Sequence, residues 1–248
     1  MIYENILSEN KDGVCYLTIN RPKQLNALNG ATILELSNAI KSAEENNLVR
    51  CIILTGADIK EFSGFDVAEV ENLARKGQEL LFDLLENIGT PSIAAINGFA
   101  LGGGLELAMS CHIRIASENA KMGLPEVSLG VIPGYGGTQR LANLVGKGKA
   151  IEMIITAMKL TAVEAEKWGL VNYVCPQDEL MLLAEKIAEK IKRNSPMAIG
   201  KAIKTVNAGF IDGVDGFEVE KKEFGSCFGS AEFIEGTTAF MEKRKANF

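Results

Sequence analysis

Ser92-Ile93-Ala94-Ala95-Ile96-Asn97-Gly98-Phe99-Ala100-Leu101-Gly102-Gly103-Gly104-Leu105-Glu106-Leu107-Ala108-Met109-Ser110 decides how the rest of the chain is read. Ser92 to Ile96 is a short apolar run that follows a break at Gly89-Thr90-Pro91, as a buried strand would. Three consecutive glycines then open a helix, Leu105 to Ser110, and His112 to Ala116 follows as the next strand. Strand, tight turn, helix and strand in so few residues make an α/β unit.

Outward from this unit the same scheme recurs. Upstream, the first 55 residues read as β-β-α-β. Val14 to Ile19 is a strand, Asn20-Arg21-Pro22 breaks it, Ile33, Leu36, Ile40 and Ala43 recur at helical spacing, and Arg50 to Leu54 is a buried strand. Between these units the spacing predicts a helix from Val67 to Ile88 with Val70, Leu73, Leu80, Leu84 and Ile88 inward. Downstream, Pro125-Glu126 and the loop Pro133-Gly134-Tyr135-Gly136-Gly137 precede a helix ending near Gly146. After about residue 176 the pattern changes to four helical segments, Asp178 to Lys192, Ser195 to Asn207, Asp212 to Phe228 and Ala231 to Lys245, with Pro196 suited to a first helical position. Their apolar stripes exceed what one small bundle needs, which points to a partner subunit.

Composition narrows the function classes. A length of 248 residues suits one large α/β domain with an appendage, and a net charge of -6 argues against nucleic acid or anionic lipid as the main partner. No apolar run approaches the ~20 residues of a spanning helix. The start, Met1-Ile2-Tyr3-Glu4-Asn5, shows neither a signal nor a transit pattern, so the chain reads as cytoplasmic. Cys15, Cys51, Cys111, Cys175 and Cys227 are odd in number and unpaired in spacing, as expected of reduced, mostly buried thiols rather than disulfides or a zinc site.

The chemistry lies in three segments. Glycines at a strand-to-helix junction permit a tight turn, and they also bring backbone N–H groups close to a ligand at a helix N-terminus, where negative charge is favoured. Glu106 follows them amid Leu101, Leu105 and Leu107, and a buried carboxylate beside an oxyanion site is a candidate acid or base. Glu126 follows Pro125 in a segment flanked by Leu124, Val127 and Leu129. Two such carboxylates facing one water could share its protons, one accepting and one supplying. The third segment is Ala57-Asp58-Ile59-Lys60-Glu61-Phe62. Neither a P-loop nor a complete dinucleotide fingerprint is present, and a single histidine, His112, reads as structural. Lys243-Arg244-Lys245 reads as the solvated last turn of a helix.

The run Ile93 to Ala108 resembles the signature of the crotonase, or enoyl-CoA hydratase/isomerase, family. Gly123-Leu124-Pro125-Glu126, Pro133 to Leu141 and Phe240 to Lys245 resemble further motifs of that family, in order and along the whole chain. The resemblance implies a crotonase-like spiral of repeated ββα units, residues 1-190, with a C-terminal helical trimerisation region, residues 191-248. Trimers of this kind commonly pair into hexamers. It implies an acyl-CoA thioester as substrate, no metal or redox cofactor, and an oxyanion hole of two backbone N–H groups, Ala57 and Gly103. Ala57, Asp58, Ile59, Lys60 and Gly103 would then contact substrate, with Lys60, and Lys243 or Lys245 from a neighbouring subunit, toward the CoA phosphates. Hydratases of the family resemble this sequence in carrying both glutamates, which makes Glu106 and Glu126 the expected catalytic pair of a short-chain enoyl-CoA hydratase, in fatty-acid or butyrate-type metabolism. The alternatives within the family are an isomerase or lyase, and a non-catalytic acyl-CoA-binding scaffold. The acyl pocket would come largely from Phe62 to Leu85, the part least like its relatives.

One departure stands out. Relatives have roughly nine more residues between the strand corresponding to Ile52-Ile53-Leu54 and the oxyanion segment. Thr55 and Gly56 alone fill that place here, fewer than a turn of this kind ordinarily uses. The reading therefore expects a loop missing between Thr55 and Ala57, to be checked by the Cα spacing there.

Overall fold

A computed structural model describes residues 3–56 and 74–248. Six strands form the main sheet: β1 (Ile6–Lys11), β2 (Val14–Ile19), β3 (Cys51–Thr55), β4 (Ser92–Ile96), β6 (Ile113–Ser117) and β9 (Tyr173–Cys175), in the order β1-β2-β3-β4-β6-β9. The hairpin β1/β2 is antiparallel, and every later pair is parallel. Strands β3 and β4 are buried along almost their whole length and apolar except at Thr55 and Ser92, because both of their faces are covered. On one face Leu17, Ile52, Leu54, Ala94 and Ile96 meet α1 (Gly30–Glu44) through Ile33, Leu36 and Ile40. On the other, Cys51, Ile53, Ile93 and Ile115 meet Leu180, Ala184 and Ile187 of the helix Leu180–Ile191. The expected strand and helix positions of the first unit are thus the observed ones. Asn29 starts α1 by accepting from the Thr32 N–H at 2.9 Å.

A second sheet of three strands, β5 (Phe99–Leu101), β7 (Lys121–Gly123) and β8 (Lys159–Thr161), was not anticipated from the sequence. It explains the repeat. In the units β4-β5-helix and β6-β7-helix the first strand joins the large sheet and the second joins the small one. The helix of the first such unit, α3 (Gly103–Ser110), is buried on every side, and that of the second, α4 (Gly137–Val145), ends at Gly146 as expected.

The helix expected from Val67 to Ile88 differs in face at Leu80 and Leu84, whereas Ile88 is buried as expected. Val70 and Leu73 lie outside the described residues. In the described part, Gln78–Phe82 forms a π turn that runs into α2 (Asp83–Asn87). A π turn closes i→i+5 bonds, so it holds one residue more and rotates the apolar stripe. Leu81, Phe82 and Leu85 therefore face the core, whereas Leu80 is 38% exposed and Leu84 only partly covered.

Beyond α4 come α5 (Lys147–Ile155), α6 (Ala162–Lys167), α7 (Leu180–Ile191), α8 (Pro196–Ala208), α9 (Gly216–Cys227) and α10 (Ala231–Met241). The last two are shorter than expected. Asp215 rather than Asp212 caps α9, accepting from the Phe217 and Glu218 amides, and α10 ends before Lys243, whose backbone is left-handed. Arg244 folds back onto Glu235 and Glu242, while Lys243 and Lys245 are exposed. Among the described residues no helix is long and apolar enough to cross a membrane.

Candidate active site

The small sheet builds the site by register. Leu101 of β5 pairs with Gly123 of β7, and the Gly102 N–H donates to the Gly123 carbonyl at 3.0 Å. The two strands therefore end side by side, one running through Gly102 into α3 and the other through Leu124-Pro125 into the short 3-10 turn Glu126–Leu129. Gly102 has φ +56°, a left-handed conformation suited to glycine. A Cβ there would stand 3.2 Å from Glu126 Oε1, so the turn and the carboxylate touch. Of the residues expected to flank Glu126, Leu124 is buried, but Leu129 is 61% exposed because the 3-10 turn swings it outward.

Glu106 occupies the first turn of α3 and is 1% exposed. Its Oε1 accepts the Tyr135 N–H at 2.9 Å and the Gly137 N–H at 2.8 Å. Gly137 is the first residue of α4, so the carboxylate sits at the positive end of a second helix. Two amide donors on one oxygen suit an ionised carboxylate, the form that accepts a proton.

Glu126 lies in the opposite setting. It is 5% exposed, and its Oε2 has no hydrogen-bond partner among the described residues. Burial pushes its carboxyl above the usual carboxylate range, against a smaller opposing effect of its own backbone N–H. Such a group gives up its proton less readily than an ordinary carboxylate.

Gly103 is the first residue of α3, and its N–H belongs to the leading turn that has no intrahelical acceptor. An apolar cavity lies alongside, at the carboxyl ends of β2, β3 and β4, walled by Ile19, Thr55, Ile96, Phe99, Gly104 and Ala108. In open parallel sheets ligands bind at this edge. Gly56 also lines it, the residue before the expected oxyanion donor. Ala57, Asp58, Ile59 and Lys60 lie outside the described residues, as does the Gly56 to Ala57 step. A larger cleft between Arg50, Thr90, Met197 and Lys204 is lined by neither carboxylate.

His112 is bound into the fold as expected. Its Nδ1 accepts the Ser92 N–H at 3.0 Å and its Nε2 faces the Glu86 carbonyl at 3.2 Å, while burial lowers its pKa to about 4. The five cysteines are free thiols, four of them buried. What sequence reasoning missed is the anchorage of Glu106. In the sequence Tyr135 and Gly137 read only as part of a glycine loop, and Arg140, 7% exposed and bonded to the Tyr135 carbonyl, does not stand out. A buried-length arginine three residues after a glycine pair, beside Leu141, was the available signal.

Comparison with known proteins gives the family. The enoyl-CoA hydratase/isomerase family model matches residues 9–248. The crotonyl-CoA hydratase of Syntrophomonas wolfei subsp. wolfei is 45% identical over 257 aligned positions, covering 100% of this chain and 99% of that protein. The short-chain-enoyl-CoA hydratase of Clostridium acetobutylicum is 46% identical, covering 99% of this chain and 97% of that protein. Among solved structures, an enoyl-CoA hydratase from Bacillus anthracis superimposes with a TM-score of 0.89 at 38% identity, covering 99% of each chain. On the full-length family match and on these relatives, the chain belongs to the enoyl-CoA hydratase/isomerase family.

Proposed function

We propose that the protein is an enoyl-CoA hydratase that reversibly adds water, syn, across the 2,3 double bond of a short-chain trans-2-enoyl-CoA to give the 3-hydroxyacyl-CoA. The observation that carries the reading is the pair of buried carboxylates around one glycine turn, Glu106 held by two amide donors and Glu126 with an oxygen that has no partner among the described residues. Glu106 takes the proton of the water that attacks the β-carbon, and Glu126 delivers a proton to the α-carbon. The N–H groups of Ala57 and Gly103 form the oxyanion hole for the thioester carbonyl, the second with the α3 N-terminus behind it. One such donor is worth about 3 kcal/mol of barrier. The acyl-CoA is the only small molecule the reaction needs besides water.

The test is loss of the conjugated enoyl absorbance of crotonyl-CoA. Glu106→Gln and Glu126→Gln should each lower kcat by about a hundredfold or more while crotonyl-CoA still binds. Near-normal turnover in either variant removes that residue from the mechanism, and binding without turnover in the unaltered protein favours a scaffold.

Residues 1-190 form the catalytic spiral and 191-248 the assembling region in this reading. The latter exposes Phe210, Phe217, Phe224, Phe228, Phe240 and Met241, each more than half accessible in the single chain, as expected of a face that meets another copy. Light scattering should give at least three times 26.7 kDa, and a monomer would sink the assembly.

A further inference from the structure

A second ionic cluster stands behind the Glu106 carboxylate and has no part in the proton transfers above. Arg140 Nη2 lies 2.7 Å from Asp83 Oδ1 and 2.7 Å from Glu86 Oε2, and Nε lies 3.0 Å from the same Glu86 oxygen. Burying a guanidinium is costly unless its donors are satisfied, and these two half-exposed carboxylates largely do so. The remaining bond is the informative one: Nη1 donates to the Tyr135 carbonyl at 2.8 Å.

That carbonyl belongs to the turn whose flanking amides, Tyr135 and Gly137, hold Glu106 Oε1. The turn is therefore gripped on one side by arginine and on the other by the carboxylate. Gly136 has φ +82°, and a Cβ there would run into Arg140 Nη1. The Tyr135 ring stacks on Phe82 at 4.6 Å and 8°. Phe82 directly precedes Asp83, so one segment supplies both the stacking partner and the carboxylates that fix the arginine.

We propose that Arg140 is a positioning residue for hydration, holding the Tyr135–Gly137 turn so that its two amides aim Glu106 at the attacking water. This rests on the reading of Glu106 as the proton acceptor. Arg140→Gln should lower kcat on crotonyl-CoA about ten- to a hundredfold with KM within about threefold, since a misplaced catalytic group costs turnover more than binding. Loosened amide donors favour the charged carboxylate less, so the acid limb of the kcat profile should move to higher pH. Arg140→Lys, which keeps the charge without the planar fork, should recover only part of the rate.

Two controls separate the possible failures. In the Glu106→Gln background, Arg140→Gln should cost less than about threefold, because a residue acting through Glu106 has nothing left to position. A cost as large as in the unaltered protein overturns the proposal and leaves the role of Glu106 intact, whereas a near-normal Glu106→Gln enzyme overturns both. Should Arg140→Gln fail to fold, Glu86→Gln keeps the arginine and one partner. It should give the same acid-limb shift with a smaller loss, and an unmoved profile overturns the proposal.

Discussion

Gly137→Ala tests the anchorage of Glu106 by adding a single carbon. Gly137 has no left-handed φ and begins a helix, so alanine suits its backbone. The difficulty lies in space. A Cβ there would stand 2.6 Å from Glu106 Oε1, 2.8 Å from Cγ and 3.0 Å from Cδ, where ordinary contact begins at 3.4 Å. The carboxylate must retreat by about 0.8 Å, because the turn on the other side is held by Arg140 and by the Phe82 stack. A displacement near 1 Å at a reacting group costs roughly a hundredfold. Losing one charge-assisted hydrogen bond, about 1.5–3 kcal/mol, gives roughly ten- to 150-fold and agrees. The expected result is therefore a kcat about a hundredfold lower in the crotonyl-CoA assay, with KM little changed. Gly148→Ala is the control, because its Cβ meets nothing within 4 Å inside α5. It should leave kcat alone and add about 0.5–1 kcal/mol of stability. A Gly137→Ala enzyme within threefold of the unaltered kcat would refute the reasoning.

Two of the perturbed groups, His112 and Glu126, give pH-dependent expectations. His112 is held neutral with a folded pKa of about 4 against an ordinary 6.5, so its contribution is full above 6.5 and is lost as pH falls toward 4, by roughly 3 kcal/mol at most. Denaturant unfolding between pH 7 and pH 4.5 should show a smaller loss in His112→Gln than in the unaltered protein, and equal losses would contradict the assignment. Glu126 is raised instead, so its burial favours the fold below its ordinary pKa and this benefit is lost as pH rises through the folded value. Glu126→Gln should unfold at a higher midpoint than the unaltered protein at pH 7, with the gain shrinking toward pH 4. A destabilised variant at pH 7 would argue against desolvation as the cause.

What the sequence disclosed depended on distance along the chain. The strand Ser92–Ile96, the three glycines and the helix after them were legible because short apolar runs and glycine punctuation are local signals. The strands β5, β7 and β8 are three residues each, too short for any alternation to register. The π turn was hidden because it depends on a hydrogen-bond pattern and not on residue type, so the stripe Leu80–Leu84 was read one residue out of phase. Both glutamates stood out as charges among apolar neighbours. Their difference did not, since the donors to Glu106 come from 29 and 31 residues away.

That difference is where fold and chemistry meet. Two carboxylates at matching positions would titrate alike and could not divide the protons of one water between them. The small sheet breaks the equivalence. It brings Gly102 and Gly123 to the same edge, so both glutamates leave from one place, and then sends the chain in two directions. Glu106 rides on a helix whose first turn meets the N-terminus of α4, where amides are in surplus. Glu126 sits on a 3-10 turn whose own donors are spent locally, the Ser128 amide on the Pro125 carbonyl and the Gly130 amide on the Val127 carbonyl, leaving one carboxylate oxygen without a partner among the described residues. The surroundings of Glu106 thereby favour charge more than those of Glu126 do. The proposed addition of water would begin with Glu106 charged and Glu126 protonated, the states toward which their surroundings push them.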